Sequence, residues 1–257
     1  MRLVAGVAGA LLLAGCASVA DGEAATPRTP QSSPEIPQDS PTSTIPSPGP
    51  QAPRDSSLDL PLITAAGAGE LRKVRRLLAN GASVRATDQQ GRTPLIAAAY
   101  GKHVKVARVL ADAGADPNEK DASVQSAYLI ATSEVGDDPR LLTVLLRRGA
   151  DVSSRDSFNG TGLIRAAERG FPQVIERLLA TDVEVDHVNR LGWTALHEAI
   201  ILGDGGPEYV TVVKLLVANG ADVNLRSRRD GVRPLTHATN AGHDRIADVL
   251  RRAGAEP

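Results

Sequence analysis

Aromatic residues are nearly missing from this chain: two Phe, three Tyr and one Trp in 257 residues, or 2%. Its 42% of hydrophobic residues is therefore mostly Ala, Leu, Val and Ile, which suits thin, closely packed helices and leaves little to line an aromatic cofactor pocket. Cysteine occurs once, at Cys16, which excludes an intrachain disulfide and any thiolate-rich metal site. Net charge is lacking too. With 29 Lys and Arg against 30 Asp and Glu, the formal charge is −1, without the basic excess that phosphate contacts require, so no nucleic-acid partner is expected. Reaction signatures are also absent. "GDGGPE" has no Lys-Ser/Thr after its glycines, no G-x-S-x-G occurs, and His197-Glu198 has Ile201 where a zinc hydrolase needs a second His. No catalytic residue, metal ligand, cofactor or small-molecule substrate is expected.

What the chain does have begins at its start. One cation, Arg2, precedes an uncharged run from Leu3 to Gly15 that is rich in Ala, Leu and Val, the layout of a secretory signal. The run falls short of the roughly 20 apolar residues that span a bilayer. Leu13-Ala14-Gly15-Cys16 resembles the bacterial lipobox. That resemblance implies cleavage before Cys16 and a diacylglycerol on its thiol. Each buried methylene adds about 0.8 kcal/mol, and two or more acyl chains anchor stably. Ala17 is not the aspartate that retains such proteins in the inner membrane of enteric bacteria. The expected location is the cell envelope, with the chain lipid-anchored to the outer face of the cell membrane or to the outer membrane and facing the periplasm or exterior.

Nine prolines lie between Pro27 and Pro53, with Ser, Thr and Gln among them. Such a stretch buries too little surface to offset its ordering entropy, and it reads as a disordered tether reaching on the order of 120 Å if extended. A proline-rich ligand for a peptide-binding domain is the alternative. The expected domains are a signal peptide over 1–15, a lipidated cysteine with its tether over 16–57, and a folded part over 58–257.

The folded part echoes itself. "NGASV" at Asn80–Val84, "AGADP" at Ala113–Pro117, "RGADV" at Arg148–Val152, "NGADV" at Asn219–Val223 and "AGAEP" at Ala253–Pro257 each follow a leucine-rich amphipathic stretch. Gly81 and Gly114 are 33 residues apart, and the 71 between Gly149 and Gly220 hide a degenerate copy at "ATDVEVD", Ala180–Asp186. Six units result. A second marker recurs upstream of these turns: "GRTPLIAAA" at Gly91–Ala99, "GTGLIRAA" at Gly160–Ala167, "GWTALHEAI" at Gly192–Ile200 and "GVRPLTHAT" at Gly231–Thr239. The two markers together resemble the ankyrin repeat. That resemblance implies an all-α solenoid of about six helix-turn-helix units with hairpin fingers, presenting an inner surface to a protein partner.

Each marker has a physical reason. Thr93 and Thr194 suit helix N-caps, and Pro94 suits the first helical position, which has no hydrogen bond to lose. Ala97–Ala99 and Ala166-Ala167 keep the first helix thin. Pairs such as Leu77-Leu78 and Leu215-Leu216 fill the second, and the glycine after it suits a left-handed C-cap. A unit this small cannot bury its own apolar face, so stacking must supply stability.

Units three and four depart from the pattern. Unit three carries Ser126-Ala127-Tyr128-Leu129 with Val124 in the preceding glycine's place, and unit four carries Asp182 in the turn-glycine slot. Looser local order is expected in both. Extra residues fall between the helices of units three and five, at "GDDP" (Gly136–Pro139) and "GDGGPE" (Gly203–Glu208); they are either drift in exposed loops or partner contacts.

Histidines take structural roles in this reading: His103 and His243 between paired helices, His197 at the His of the first-helix signature, His237 one residue beyond that slot and His187 near a finger. Candidate partner-binding residues on the inner face and fingers are Gln90, Arg92, Tyr100, Phe158, Arg165, Arg169, Arg190, Trp193, Arg226, Arg228, Arg229 and Arg233. Arg226–Arg233 is the densest cationic cluster on a finger, suited to an acidic partner or simply solvated. Trp193 has the option of packing on the neighbouring finger. The Arg72-Lys73-Arg75-Arg76 run is assigned to the outer polar face of unit one. The functional expectation is a membrane-anchored, extracytoplasmic protein-binding module. An inhibitor or immunity-type protein for an envelope enzyme or toxin, or a subunit of an envelope enzyme, are the alternatives.

Overall fold

The computed structural model describes residues 55–257; the signal run, Cys16 and the proline-rich stretch up to residue 54 lie outside the described residues. A short 3-10 turn at Ser56–Leu58 leads into six antiparallel helix pairs. These are α1 (Asp59–Gly67) with α2 (Leu71–Ala79), α3 (Pro94–Tyr100) with α4 (Val104–Asp112), α5 (Ala127–Ser133) with α6 (Arg140–Leu146), α7 (Gly162–Glu168) with α8 (Pro172–Leu179), α9 (Ala195–Ile201) with α10 (Pro207–Ala218), and α11 (Pro234–Asn240) with α12 (Asp244–Arg252). The odd-numbered helices stack on one another and the even-numbered helices likewise, giving two layers with one continuous apolar core between them. Alanines such as Ala98, Ala166 and Ala199 recur among the first layer's buried residues, while Leu110, Leu145, Leu178 and Leu216 fill the second. The first helices make the inner layer and the second helices the outer one.

The local chemistry is that of the repeat markers. The hydroxyls of Thr93, Thr161 and Thr194 accept hydrogen bonds from the amides of Ile96, Ile164 and His197 at the N-termini of α3, α7 and α9. At the other end, Gly81, Gly114, Gly149, Gly220 and Gly254 all have φ between 82° and 93°. The left-handed turn lets the amide of the next residue reach back to the last helical turn, as Ala115 N does to Leu110 O at 3.0 Å.

Units three and four are not the loose ones. Every residue of α5 is buried, and Ser126 replaces the usual Thr cap, accepting from Leu129 N at 3.2 Å. Tyr128 is fully buried and its hydroxyl donates to Val152 O, in the turn after α6, at 3.3 Å. The irregularity sits in Val124, which adopts φ 61° at the finger tip where units two and five have Gly91 and Gly192. A β-branched residue there is strained by about 1–3 kcal/mol. In unit four Asp182 does not take the left-handed conformation. Instead α8 stops at Leu179, and the amide and hydroxyl of Thr181 both close on Leu178 O, at 2.9 and 2.5 Å.

The two insertions are built into the stack. Asp137 accepts from the amides of Gln173 (2.8 Å) and Val174 (3.0 Å), capping α8 of the following unit from 36 and 37 residues away. The second insertion precedes α10, whose Tyr209 lies against Gly170 and donates its hydroxyl to Glu168 O at 3.0 Å. Gly205 of the same loop packs beneath His243 of unit six.

Candidate interaction surface

Each finger is a tight turn organised by its first side chain. Asp88, Asp121, Asp156 and Asn189 accept from the backbone amides two and four residues on, as in Asp156 Oδ1 to Phe158 N and Gly160 N, both 2.8 Å. Neighbouring fingers are laced through the backbone: Ala122 N to Gln90 O (3.0 Å), Arg190 N to Phe158 O (2.9 Å) and Arg228 N to Gly192 O (2.9 Å). Between the Asp121 and Asp156 fingers the link is a side chain, Lys120 Nζ donating to Arg155 O at 2.7 Å. The finger tips therefore form one continuous edge.

A second set of contacts fastens fingers to inner helices. Arg165 Nη1 donates to Asp156 (2.8 Å) and Asn189 Nδ2 to Glu198 (2.6 Å), and His237 lies 3.5 Å from Asp230, while Arg92 Nε donates to Asp88 (2.8 Å) within its own finger. Burial would raise the Asp88 carboxyl, but the hydrogen bonds from the Arg92 side chain and from the Arg92 and Gln90 amides hold it below its usual range. Arg165 is only 15% exposed and also donates to Ser133 Oγ at 2.8 Å and to Glu134 at 3.3 Å. Arg169 lies 3.8 Å from the same Glu134.

The residues expected at a partner surface thus divide. Trp193 is 9% exposed, with the Arg229 guanidinium 5.4 Å from its ring centroid, so both are engaged within the domain. Arg226 braces its own finger by donating to Gly231 O, and Arg233 pairs with Glu256 at 2.8 Å. Arg165 belongs to the fastening set, and Arg92 is paired with Asp88 inside its own finger. Gln90, Phe158, Arg190 and Arg228 stand exposed along the finger edge; Phe158 is 59% exposed, and Arg190 is steadied by donating to Ser157 O at 2.8 Å. Tyr100, 41% exposed, opens onto a groove of about 500 Å³ between units one and two, lined with Leu60, Ile63, Gln90 and Arg92. Burial, and then Asp121 and Glu134, raise its phenol above the usual range.

The histidines hold structure. His103 Nε2 meets Gly67 O at 3.1 Å, His187 bridges Asn159 O (2.9 Å) and Glu184 (3.2 Å), and His197 Nδ1 closes a capping box on Thr194. Among the described residues no group of three His, Cys, Asp or Glu side chains could hold a metal. Glu198 resembles a general acid only in its titration: burial, with Glu168 and Asp156 nearby, pushes its carboxyl up to about 7. At 3% exposure it presents no oxygen to a solvent-borne substrate. Sequence reading missed the Asn189–Glu198 pair and the Asp137 cap. A finger Asx followed nine residues later by a polar residue marks the first, whereas the cap joins separate units and leaves no local trace.

Comparison with known proteins agrees with this geometry. A family model described as "Ankyrin repeats (3 copies)" matches residues 50–121 and 129–227. The ankyrin repeat protein YahD of Escherichia coli (strain K12) is 36% identical over 194 residues, 75% of this chain and 95% of YahD. A solved ankyrin repeat domain from Acinetobacter baumannii AYE superposes with a TM-score of 0.72 at 40% identity, over 76% of this chain and 98% of that one. Another solved ankyrin repeat protein, EF0377, gives a TM-score of 0.72 at 30% identity, over 78% and 99% of the two chains. With both repeat markers seated as caps and turns in six stacked pairs, the chain belongs to the ankyrin repeat family.

Proposed function

We propose that this chain is a lipid-anchored protein of the bacterial cell envelope that binds a protein partner through the finger edge and inner face of its repeats. The observation that carries the binding half is the finger edge itself. Backbone links and the Lys120 side chain tie its tips together, yet it leaves Phe158, Arg190 and Arg228 at the surface, an aromatic and two arginines of the kind that dominate partner affinity. Rigidity matters because side chains already held in place lose little entropy on docking. The anchoring half rests on Arg2, the uncharged run Leu3–Gly15 and Leu13-Ala14-Gly15-Cys16. Tethered in this way, the domain would meet partners at a local concentration set by the length of the proline-rich segment.

The anchor is tested with the full-length chain and its Cys16→Ser variant. The expected wild-type product begins at Cys16, carries the mass of a diacylglycerol and acyl chains, and stays with membranes through a high-salt wash. The variant should lack that mass and be released by salt. A wild-type chain without added lipid, or a variant that resists the wash, contradicts the anchor.

A further inference from the structure

The outer layer is electrostatically lopsided. Along α2, α4, α6 and the two residues after α6 the chain carries nine Lys and Arg against one carboxylate, Asp112, while α8 and α10 carry two of each sign. Three of the nine are neutralised: Lys73 pairs with Glu70 at 2.9 Å, Arg140 with Asp138 at 2.6 Å, and Arg148 with Asp112. The other six, Arg72, Arg75, Arg76, Lys105, Arg108 and Arg147, are all exposed and have no ion pair among the described residues. This surplus exists in a chain whose whole formal charge is −1, so the remaining surface is net acidic.

Repeat geometry turns these cations into a surface. Arg72 and Lys105 are one repeat of 33 residues apart, as are Arg75 and Arg108, so they form rungs across two helices that pack side by side. Arg108 then meets Arg147 and Arg148 around a cleft of about 420 Å³ between α4 and α6, with Asp112 and Val144. Asp55, the first described residue, donates its N–H to Gly81 O at 3.2 Å, at the turn that ends α2.

We propose that the outer face of units one to three is a docking surface for anionic lipid headgroups, separate from the finger edge. A broad cationic face on an otherwise net acidic molecule favours a plane met from one side, and each cation near such a surface strengthens binding about fivefold. Long Lys and Arg stems reach toward headgroups while their helices remain packed on the core. The acidic remainder is repelled and turned away, which directs the finger edge and inner face to solvent. This docking goes beyond the protein-binding reading and does not depend on acylation.

The test uses the full chain carrying Cys16→Ser, to remove any acyl anchor, in sedimentation with vesicles of phosphatidylcholine alone or mixed with phosphatidylglycerol. Binding is expected only to the phosphatidylglycerol-containing vesicles and should fall with added salt. Arg72→Gln, Arg75→Gln and Arg76→Gln together should lower it about 100-fold. A control with the same loss of charge elsewhere, Lys214→Gln, Arg245→Gln and Arg252→Gln, should leave it within about twofold. No sedimentation with phosphatidylglycerol overturns the proposal. So does an equal loss in the control, which would make net charge the cause. Binding to duplex RNA without binding to vesicles overturns it as well.

Discussion

Replacing Gly162 by Ala is expected to destabilise the domain by about 1–3 kcal/mol, although alanine is favoured over glycine in helices by about 1 kcal/mol. Gly162 opens α7, in the slot that Pro94 and Pro234 fill in units two and six. A Cβ there would lie 2.5 Å from Tyr128 Oη and 2.9 Å from Thr132 Cγ2. Neither neighbour can retreat, because both belong to the wholly buried α5. The missing side chain in unit four is therefore the space into which the bulky one in unit three fits. Tyr128→Ala should cost about 3–5 kcal/mol by leaving a cavity. A double-mutant cycle separates the two causes: in a Tyr128→Leu background the penalty for Gly162→Ala should fall, leaving only the part owed to Thr132. Chemical denaturation of the four proteins checks this. A stabilised Gly162→Ala single variant would show that the Tyr128 hydroxyl does not set the limit.

Glu198→Gln is expected to stabilise the domain at alkaline pH and to do little near pH 4. Glu198 accepts from Asn189 through Oε1, while Oε2 is buried without a hydrogen-bond partner. Burial, then Glu168 and Asp156, raise its carboxyl from the ordinary 4.5 to about 7. A raised carboxyl pKa means the folded state holds the proton more tightly than the unfolded chain. Its contribution is fully present below about 4.5 and is lost as pH rises through about 7. Neutral Gln avoids that loss, so the gain above pH 8 should be on the order of 2 kcal/mol. Next to it, His197 works in the opposite sense. Burial, and then His237, push its imidazole down to about 4. Its contribution is present above about 6.5 and lost as pH falls through about 4, and this acid arm should survive in the Glu198→Gln variant. Equal effects of the substitution at both pH values would contradict the assigned charge state.

The architecture was legible because its signals are local and recur. A Thr cap, an Ala-rich first helix, a leucine pair and a turn glycine each report on a few neighbouring residues, and six copies fixed their spacing. Long-range compensation was not legible. Val124 and Asp182 look like defects when compared position by position, yet one accepts strain on an exposed tip and the other follows a turn that Thr181 closes on Leu178 O. "GDDP" looks like a tolerated insertion because the amides it caps lie a full repeat away. At the interaction surface, residue type was readable but availability was not. Trp193 and Arg229 are the anchors that composition favours, and they are spent on each other, whereas Phe158 stands free because its finger turns its tip outward. Arg165 shows the same limit: nothing in "GTGLIRAA" reveals that Asp156, Ser133 and Glu134 occupy its guanidinium.

Partner recognition by the finger edge is tested most directly by cross-linked capture from the native membranes with three forms of the full-length chain. One is wild type, one carries Phe158→Ala, Arg190→Ala and Arg228→Ala on the fingers, and one carries Arg72→Gln, Arg75→Gln and Arg76→Gln on the outer layer. The expected result is a defined protein recovered with wild type and with the outer-layer form and lost from the finger form. Recovery of the same proteins with the finger form as with wild type would contradict it.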